Sequence, residues 1–176
     1  MRWIDLKDVL RRTVSGMYGD LVTRRTGKAV RTGIEAMLAE PETDVAVIDF
    51  STVRCLDISC ADEIVGKLLL QYGSARYFLL VGVDESHREA IQPVLERHHL
   101  AVVAEDRAGT PQVLGTIPEP ARQAFSVLTD RGVAAPAEVA ERLAVTPDAA
   151  LEALEELRAR RLVQEGDGGY RPVRCA

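Results

Sequence analysis

An α/β layer followed by a smaller, mostly helical domain is the fold this sequence predicts, and three observations carry the prediction. Two short runs rich in Val, Ile and Leu, "DVAVIDF" (44–50) and "ARYFLLVGV" (75–83), are bounded by turn or charged residues, as buried strands are. Helical periodicity lies between and around them. Past "EDRAGTPQVLGTIPEP", where Gly, Pro and Thr interrupt every period, the pattern turns helical and stays so almost to the end. The resulting division is an α/β domain over 1–108, a linker over 109–117 and a second domain over 118–176.

Taken in order, Trp3 to Leu6 supply an edge strand, and Thr23 caps a helix from Arg24 to Glu40 that stops before Pro41. Ala29, Val30, Ile34, Met37 and Leu38 share one face of that helix. The strand at 44–50 leads to a helix from Cys60 to Tyr72, the strand at 75–83 to a helix from Glu85 to His99, and "LAVVAE" forms a last strand ending at Glu105. Strands and helices alternating at this size make a small mixed sheet packed with helices. In the second domain, helices span Pro120–Asp130, Pro136–Leu143 and Pro147–Arg161, the last capped by Thr146 with proline at its first position. Leu151, Leu154 and Leu157 read as its core face. The closing "LVQEGDGGYRPV" reads as two strands around the tip "GDGG". Three helices and a hairpin in about 60 residues make a winged helix-turn-helix, a unit near the lower size limit for folding alone.

Composition narrows the function classes. Hydrophobic residues make up 47% of the 176-residue chain and charged residues 28%, and its longest apolar runs, such as "YFLLVGV", are far too short to span a bilayer. "MRWIDLKDVLRR" lacks the uninterrupted apolar core of a secretion signal, so the expected location is cytoplasmic, away from membranes. Cys55, Cys60 and Cys175 form no even disulfide framework, and His87, His98 and His99 have no ligand spacing; neither a metal site nor a cofactor is expected. Net charge is −5, with 14 basic against 17 acidic residues up to Gly115 and 8 against 10 after it. Nucleic-acid binding relies on Lys and Arg neutralising phosphates, so this balance weighs against it.

The stretch "LDISCADEIVGK" holds the main candidate site. Ser59 directly precedes a helix, and Asp62 stands three residues on at the capping-box position, so the serine reads as a helix cap. It also reads as a residue open to modification. The order of strand "VAVIDF", excursion "STVRCLD" and serine at a helix start resembles the STAS domain, the fold of bacterial anti-sigma-factor antagonists. In that resemblance Asp49 corresponds to the aspartate ending the strand, Asp57 to the aspartate of the turn and Ser59 to the phosphorylated position. Ile58 stands where those relatives have a first turn serine, and Cys60 where they have glycine. A STAS-like family of uncharacterised role is closer, through "LVTR" (21–24) and "CADEI" (60–64). The resemblance implies a non-enzymatic regulator docking a protein partner, typically a histidine-kinase-like ATPase, over Asp57, Ser59, Cys60, Asp62 and Glu63. A phosphate on Ser59 would add about 1.5 to 2 negative charges beside Asp57, Asp62 and Glu63 and release that partner.

In a DNA-reading helix-turn-helix the first turns of the second helix carry donors to bases and phosphates. Here those positions are Pro147, Asp148, Ala149, Glu152, Ala153 and Glu156, none of which donates to a base. Arg158, Arg160 and Arg161 come in the last turn, where the helix dipole favours cations and Glu155 and Glu156 are within pairing distance. Arg171 and Arg174 remain as candidate DNA contacts, with Glu165 and Asp167 close by. Pro118 to Val173, through "AEVAERLAVTPDAALEALEELRARRLV", resemble the winged helices of MarR-type bacterial regulators, which implies the fold; the groove-facing side chains depart from that family. The expected role of this module is therefore contact with protein, a second copy or another partner. A DNA-binding regulator with a STAS-like sensing domain is the competing expectation, and a structural subunit of a larger assembly is the third.

No catalytic constellation emerges. Ser59 lacks a GxSxG elbow, no histidine spacing supplies its base, and "TRRTGK" (23–28) lacks the first glycine and the final hydroxyl of a phosphate loop. Arg24, Arg25, Lys28 and Arg31 form the most basic cluster, read as a solvated helix face or as the first place to seek an anion or acidic partner. Cys60, at a helix start, is the one candidate for a lowered thiol pKa, opposed by neighbouring carboxylates.

Overall fold

The computed structural model describes residues 1–13, 20–39 and 44–174; Glu40, Pro41 and Cys175, which entered the readings above, lie outside them. Strands β1 (Arg2–Asp5), β3 (Val45–Asp49), β5 (Tyr77–Val81) and β6 (Ala101–Glu105) run parallel as successive neighbours, and β7 (Pro111–Gly115) adds an antiparallel edge to β6. Two further strands, β2 (Asp20–Leu21) and β4 (Cys55–Leu56), pair separately in parallel. The crossovers are α1 (Leu6–Thr13) with α2 (Arg24–Leu38), then α3 (Ile58–Ala61) continuing through a π-helical turn, Asp62–Gly66, into α4 (Lys67–Tyr72), and finally α5 (Glu85–Arg97). Because each parallel strand is laid down beside the previous one, right-handed crossovers return every helix to the same face.

Side chains alternate across a strand, so the sheet has two faces to bury. Ile4, Ala46, Ile48, Phe78, Leu80, Val102 and Ala104 pack with Val9, Ile34, Ile64, Leu68 and Ile91 of the crossover helices. The other face, Val45, Val47, Leu79, Val81, Val103 and Val113, belongs to one cluster with the C-terminal segment. That segment consists of α6 (Glu119–Arg131), α7 (Pro136–Leu143), α8 (Pro147–Ala159) and the hairpin β8 (Val163–Gly166) and β9 (Gly169–Pro172). A parallel sheet needs cover on both faces, and here the second cover comes from the chain's last third.

Four expectations change. Residues 109–117, read as a linker, contain β7; edge strands tolerate an initial proline such as Pro111 because its missing N–H costs no ladder bond. Leu6 leaves the first strand and opens α1, where Asp5 Oδ1 accepts from Lys7 N at 2.8 Å. Leu151 is 42% exposed, and α8 buries Ala150, Ala153, Leu154 and Leu157 instead. The capping serine also changes, as described below. Among the described residues no helix is long and apolar enough to cross a membrane.

Candidate functional site

Ser59 sits past the carboxyl end of β3, where the chain leaves the sheet and returns as α3. The return is tightly built. Phe50 N donates to Val81 O at 2.9 Å, and Asp49 uses both oxygens, Oδ1 accepting from Ser51 N at 2.8 Å and Oδ2 from Trp3 Nε1 at 3.2 Å. Gly82 passes beneath at φ +68°, where an added Cβ would lie 2.2 Å from Ser51 Oγ, so only glycine fits. His87 holds the excursion from the side: its Nδ1 accepts from Asp84 N at 3.2 Å and its Nε2 lies 3.1 Å from Val53 O. Since a carbonyl can only accept, Nε2 carries a proton, and since Nδ1 receives the Asp84 N–H it carries none, so the ring is neutral. Its burial lowers the pKa, outweighing the nearby Asp84 charge.

The cap of α3 is Asp57. Its Oδ1 accepts from Cys60 N at 2.7 Å and from Ser59 Oγ at 2.8 Å, and its own N–H is held by Leu21 O at 2.9 Å. Partial burial pushes this carboxyl up, but the Cys60 N–H and the Ser59 hydroxyl outweigh that and hold it below the ordinary range. Ser59, expected as the cap, lies inside the first turn because the helix starts earlier, with Asp57 extended and accepting from Cys60 N, three residues on.

Cys60 faces inward. It is fully buried, its Sγ is 2.9 Å from Thr23 O, and an added Cβ on Gly27 would come within 2.9 Å of its Cα. The close crossing of α2 and α3 explains a small residue here, and burial, followed by the Asp57 charge, pushes the thiol up to about 12. A thiolate is therefore disfavoured, the opposite of the lowered thiol pKa considered for Cys60.

Asp62 and Glu63, expected on a partner surface, are 7% and 1% exposed. Arg24 Nη1 donates to Asp62 at 2.9 Å and to Glu63 at 3.0 Å; Arg31 bonds Glu63 at 3.1 Å and Glu35 at 2.8 Å. Lys67 also donates to Glu63, and His98 Nε2 to Asp62 at 3.0 Å. Burial raises both carboxyls, but Arg24 and His98 on Asp62, and Lys67 with the arginines on Glu63, bring each below its ordinary value. Arg24 and Arg31 are thus engaged in pairs rather than open to an anion; Arg25 and Lys28 keep their exposed positions on α2. Lys67 with Glu63 and Arg31 with Glu35 are i,i+4 pairs, but Arg24, Arg31 and His98 reach Asp62 and Glu63 from 32 or more positions away, where no spacing rule links them.

What remains accessible is an open groove of about 690 Å³ lined by Arg54, Cys55, Asp57, Ile58, Ser59 and Glu89 among others. Ile58 is 48% exposed. The Ser59 hydroxyl donates to Asp57, and both ring nitrogens of His87 are occupied by backbone, so His87 does not serve Ser59 as a base. Among the described residues no cluster is fit to hold a metal ion.

The second candidate surface is α8. Pro147, Asp148, Ala149, Leu151 and Glu152 are exposed there, preceded by Val145 at 42% exposure. Arg158 pairs with Glu155 at 2.6 Å and Arg160 with Glu156 at 2.6 Å, while Tyr170 donates to Glu155. Arg171 and Arg174 are exposed on and just beyond β9. Arg161 departs from the expected pairing: its Nε donates to Ser74 O at 2.7 Å and its guanidinium lies over the Tyr77 ring. Comparison with family models, curated proteins and solved structures finds no match to this chain.

Proposed function

We propose that the protein is a non-enzymatic bacterial regulatory or interaction protein, with a STAS-like half docking a protein partner and a winged helix-turn-helix working as a protein-contact module. In this reading the STAS-like half is 1–108 completed by β7, the winged helix is 118–176, and the site of action is the cytoplasm. The observation that carries it is the free face of α8. A helix positioned to read DNA would offer donors, whereas this one offers Asp148 and Glu152 beside Val145 and Leu151. Arg158 and Arg160 pair with Glu155 and Glu156, and Arg161 turns to Ser74 and the Tyr77 ring. Apolar residues ringed by carboxylates suit a protein surface with basic residues, and repel a phosphate backbone.

The partner of the STAS-like half, a histidine-kinase-like ATPase by the resemblance, would use the groove beside Ile58 and Ser59. Since Asp62 and Glu63 are buried and paired, a phosphate on Ser59 would meet only Asp57 directly, and would also take away the hydroxyl hydrogen that Asp57 now accepts. The switch therefore acts on the groove and on the first turn of α3 together.

Salt-dependent gel shifts on genomic fragments test the α8 argument: no specific shift at physiological salt is expected, and a specific one would place the DNA-binding reading, through Arg171 and Arg174, ahead. For the groove, Ser59→Asp and Ser59→Ala are compared for affinity to the partner recovered from the host. Equal affinities for both would sink the switch.

A further inference from the structure

At the opposite end of the sheet from Ser59 lies a pocket of about 290 Å³ that the proposed function leaves without a role. Three elements end around it: α4, which closes into Gly73 and Ser74; α5, which closes through His99; and α8, which closes through Arg161. Its inner lining is apolar, with Leu69, Phe78, Val102 and Leu162 all buried, and Leu70 stands at the rim 55% exposed. The polar side chains at its mouth include His99, Arg160 and Arg161, and no carboxylate lines it.

Helix C-termini attract cations, so a basic residue at each end has an ordinary cause. Two features go beyond that cause. First, His99 (φ 53°) and Arg161 (φ 57°) occupy the left-handed position that closes α5 and α8, with Leu100 N bonded to Leu95 O and Leu162 N to Leu157 O, both at 2.9 Å. Glycine normally takes that position. Of the three non-glycine residues with positive φ among the described residues, two line this one pocket. Strained backbone of this kind collects at ligand sites. Second, Arg161 spends only its Nε on protein, at Ser74 O, and its guanidinium carbon lies 5.2 Å from the centre of the Tyr77 ring. Its Nη groups have no protein acceptor among the described residues, and the Nε bond with the cation–π contact to Tyr77 restrains the fork before any ligand arrives.

We propose that this pocket binds a small organic acid, an apolar body seated on Leu69, Phe78 and Val102 with its carboxylate on the free fork of Arg161. The volume lies just below the ~300–1,000 Å³ typical of small-molecule sites, which favours an acid of medium length over a long acyl chain. An arginine fork matches a carboxylate with two parallel bonds. Because Arg161 also ties the end of α8 to Ser74 after α4, occupancy would bear on how the C-terminal helices are held against the sheet.

The test is isothermal titration of the full chain with octanoate, with its isostere octanol and with inorganic phosphate, and amide chemical-shift mapping to locate binding. Octanoate should bind with one-site saturation and shift amides around Gly73, His99 and Arg161, while octanol and phosphate bind at least about tenfold more weakly, as loss of either the charged bond or the apolar seat requires. Arg161→Ala should weaken octanoate about tenfold or more. Leu70→Glu places a like charge at the rim on an exposed side chain, so it should weaken octanoate while leaving far-UV circular dichroism unchanged. Octanoate that fails to saturate, shifts that map elsewhere, octanol binding as well as octanoate, or a Leu70→Glu variant with unchanged affinity would each overturn the proposal. These readouts involve neither DNA nor the Ser59 groove, so they stand or fall apart from the proposed function.

Discussion

Replacing Glu63 by Gln is the sharpest perturbation of the buried charge cluster. The side chain is 2% exposed and accepts from Arg24, Arg31 and Lys67. Gln keeps the volume but presents an NH2 to at least one cation, so an acceptor becomes a donor facing a donor. Breaking a buried pair in this way costs about 3–5 kcal/mol when the surviving charge is trapped. Here only Arg31, at 18% exposure, is confined, and it retains Glu35; Arg24 and Lys67, at 54% and 40%, can turn to water. The expected loss is therefore about 2 kcal/mol at pH 7, below the trapped-pair figure. Glu63 has a depressed pKa in the fold, so its contribution is full above the unfolded value of 4.5 and is lost as pH falls through the folded value. The gap between wild type and Glu63→Gln should accordingly narrow in acid. Urea unfolding at pH 7 and at successively lower pH measures both effects. A variant within about 0.5 kcal/mol of wild type at pH 7, or a gap that widens in acid, would show that Glu63 does not stabilise the fold through these ion pairs.

Three further outcomes follow from the same geometry. Asp57→Ala should cost about 1 kcal/mol by removing the α3 cap, and Ser59→Ala less than about 0.5 kcal/mol; the reverse order in urea titrations would contradict the cap assignment. Because His87 is neutral with its pKa lowered from 6.5, the unfolded chain takes up its proton first, so stability should fall as pH drops below about 6.5, by at most ~1.4 kcal/mol per unit from this group. Ring nitrogen shifts showing a proton on Nδ1, or titration at or above 6.5, would reject that assignment. A chain ending before Glu119 bares Val47, Leu79 and Val103, each at 0% exposure, and forfeits about 1.5–3 kcal/mol apiece, a sum comparable to the ~5–15 kcal/mol that holds a typical domain. It should bind hydrophobic dye and self-associate; a monodisperse, cooperatively unfolding fragment would show that the sheet does not need its second cover.

The elements were largely legible in the sequence. Strands at 44–50, 75–83 and up to Glu105, the Thr23 and Thr146 caps, and the hairpin at "GDGG" all correspond to observed β3, β5, β6, α2, α8 and β8–β9. Each rests on local chemistry: apolar period, a side-chain oxygen meeting a free N–H, or a turn that needs glycine. Shorter features escaped for the same reason. β2 and β4 have two residues each, too few for any period, and β7 hides behind Pro111 and Gly115 because an edge strand tolerates both. His87 had a legible signal in the Asp84-x-x-His87 spacing ahead of a helix, which marks a cap.

The site was decided by assembly. Sequence alone placed Asp57, Ser59, Cys60, Asp62 and Glu63 along one helix start and could treat them as one surface. Packing divides them, since α2 crosses closely at Gly27, takes Cys60, Asp62 and Glu63 inward, and brings Arg24 and Arg31 from more than 30 residues away to neutralise the carboxylates. Ionic attraction and close approach depend on distances in space, which periodicity does not encode. The same holds for the two halves of the chain. The change of pattern between them is written in Gly and Pro, but that β7 lies in this stretch, and that Val47, Leu79 and Val103 share a core with α6 and α8, follows only from both faces of a parallel sheet having to be buried.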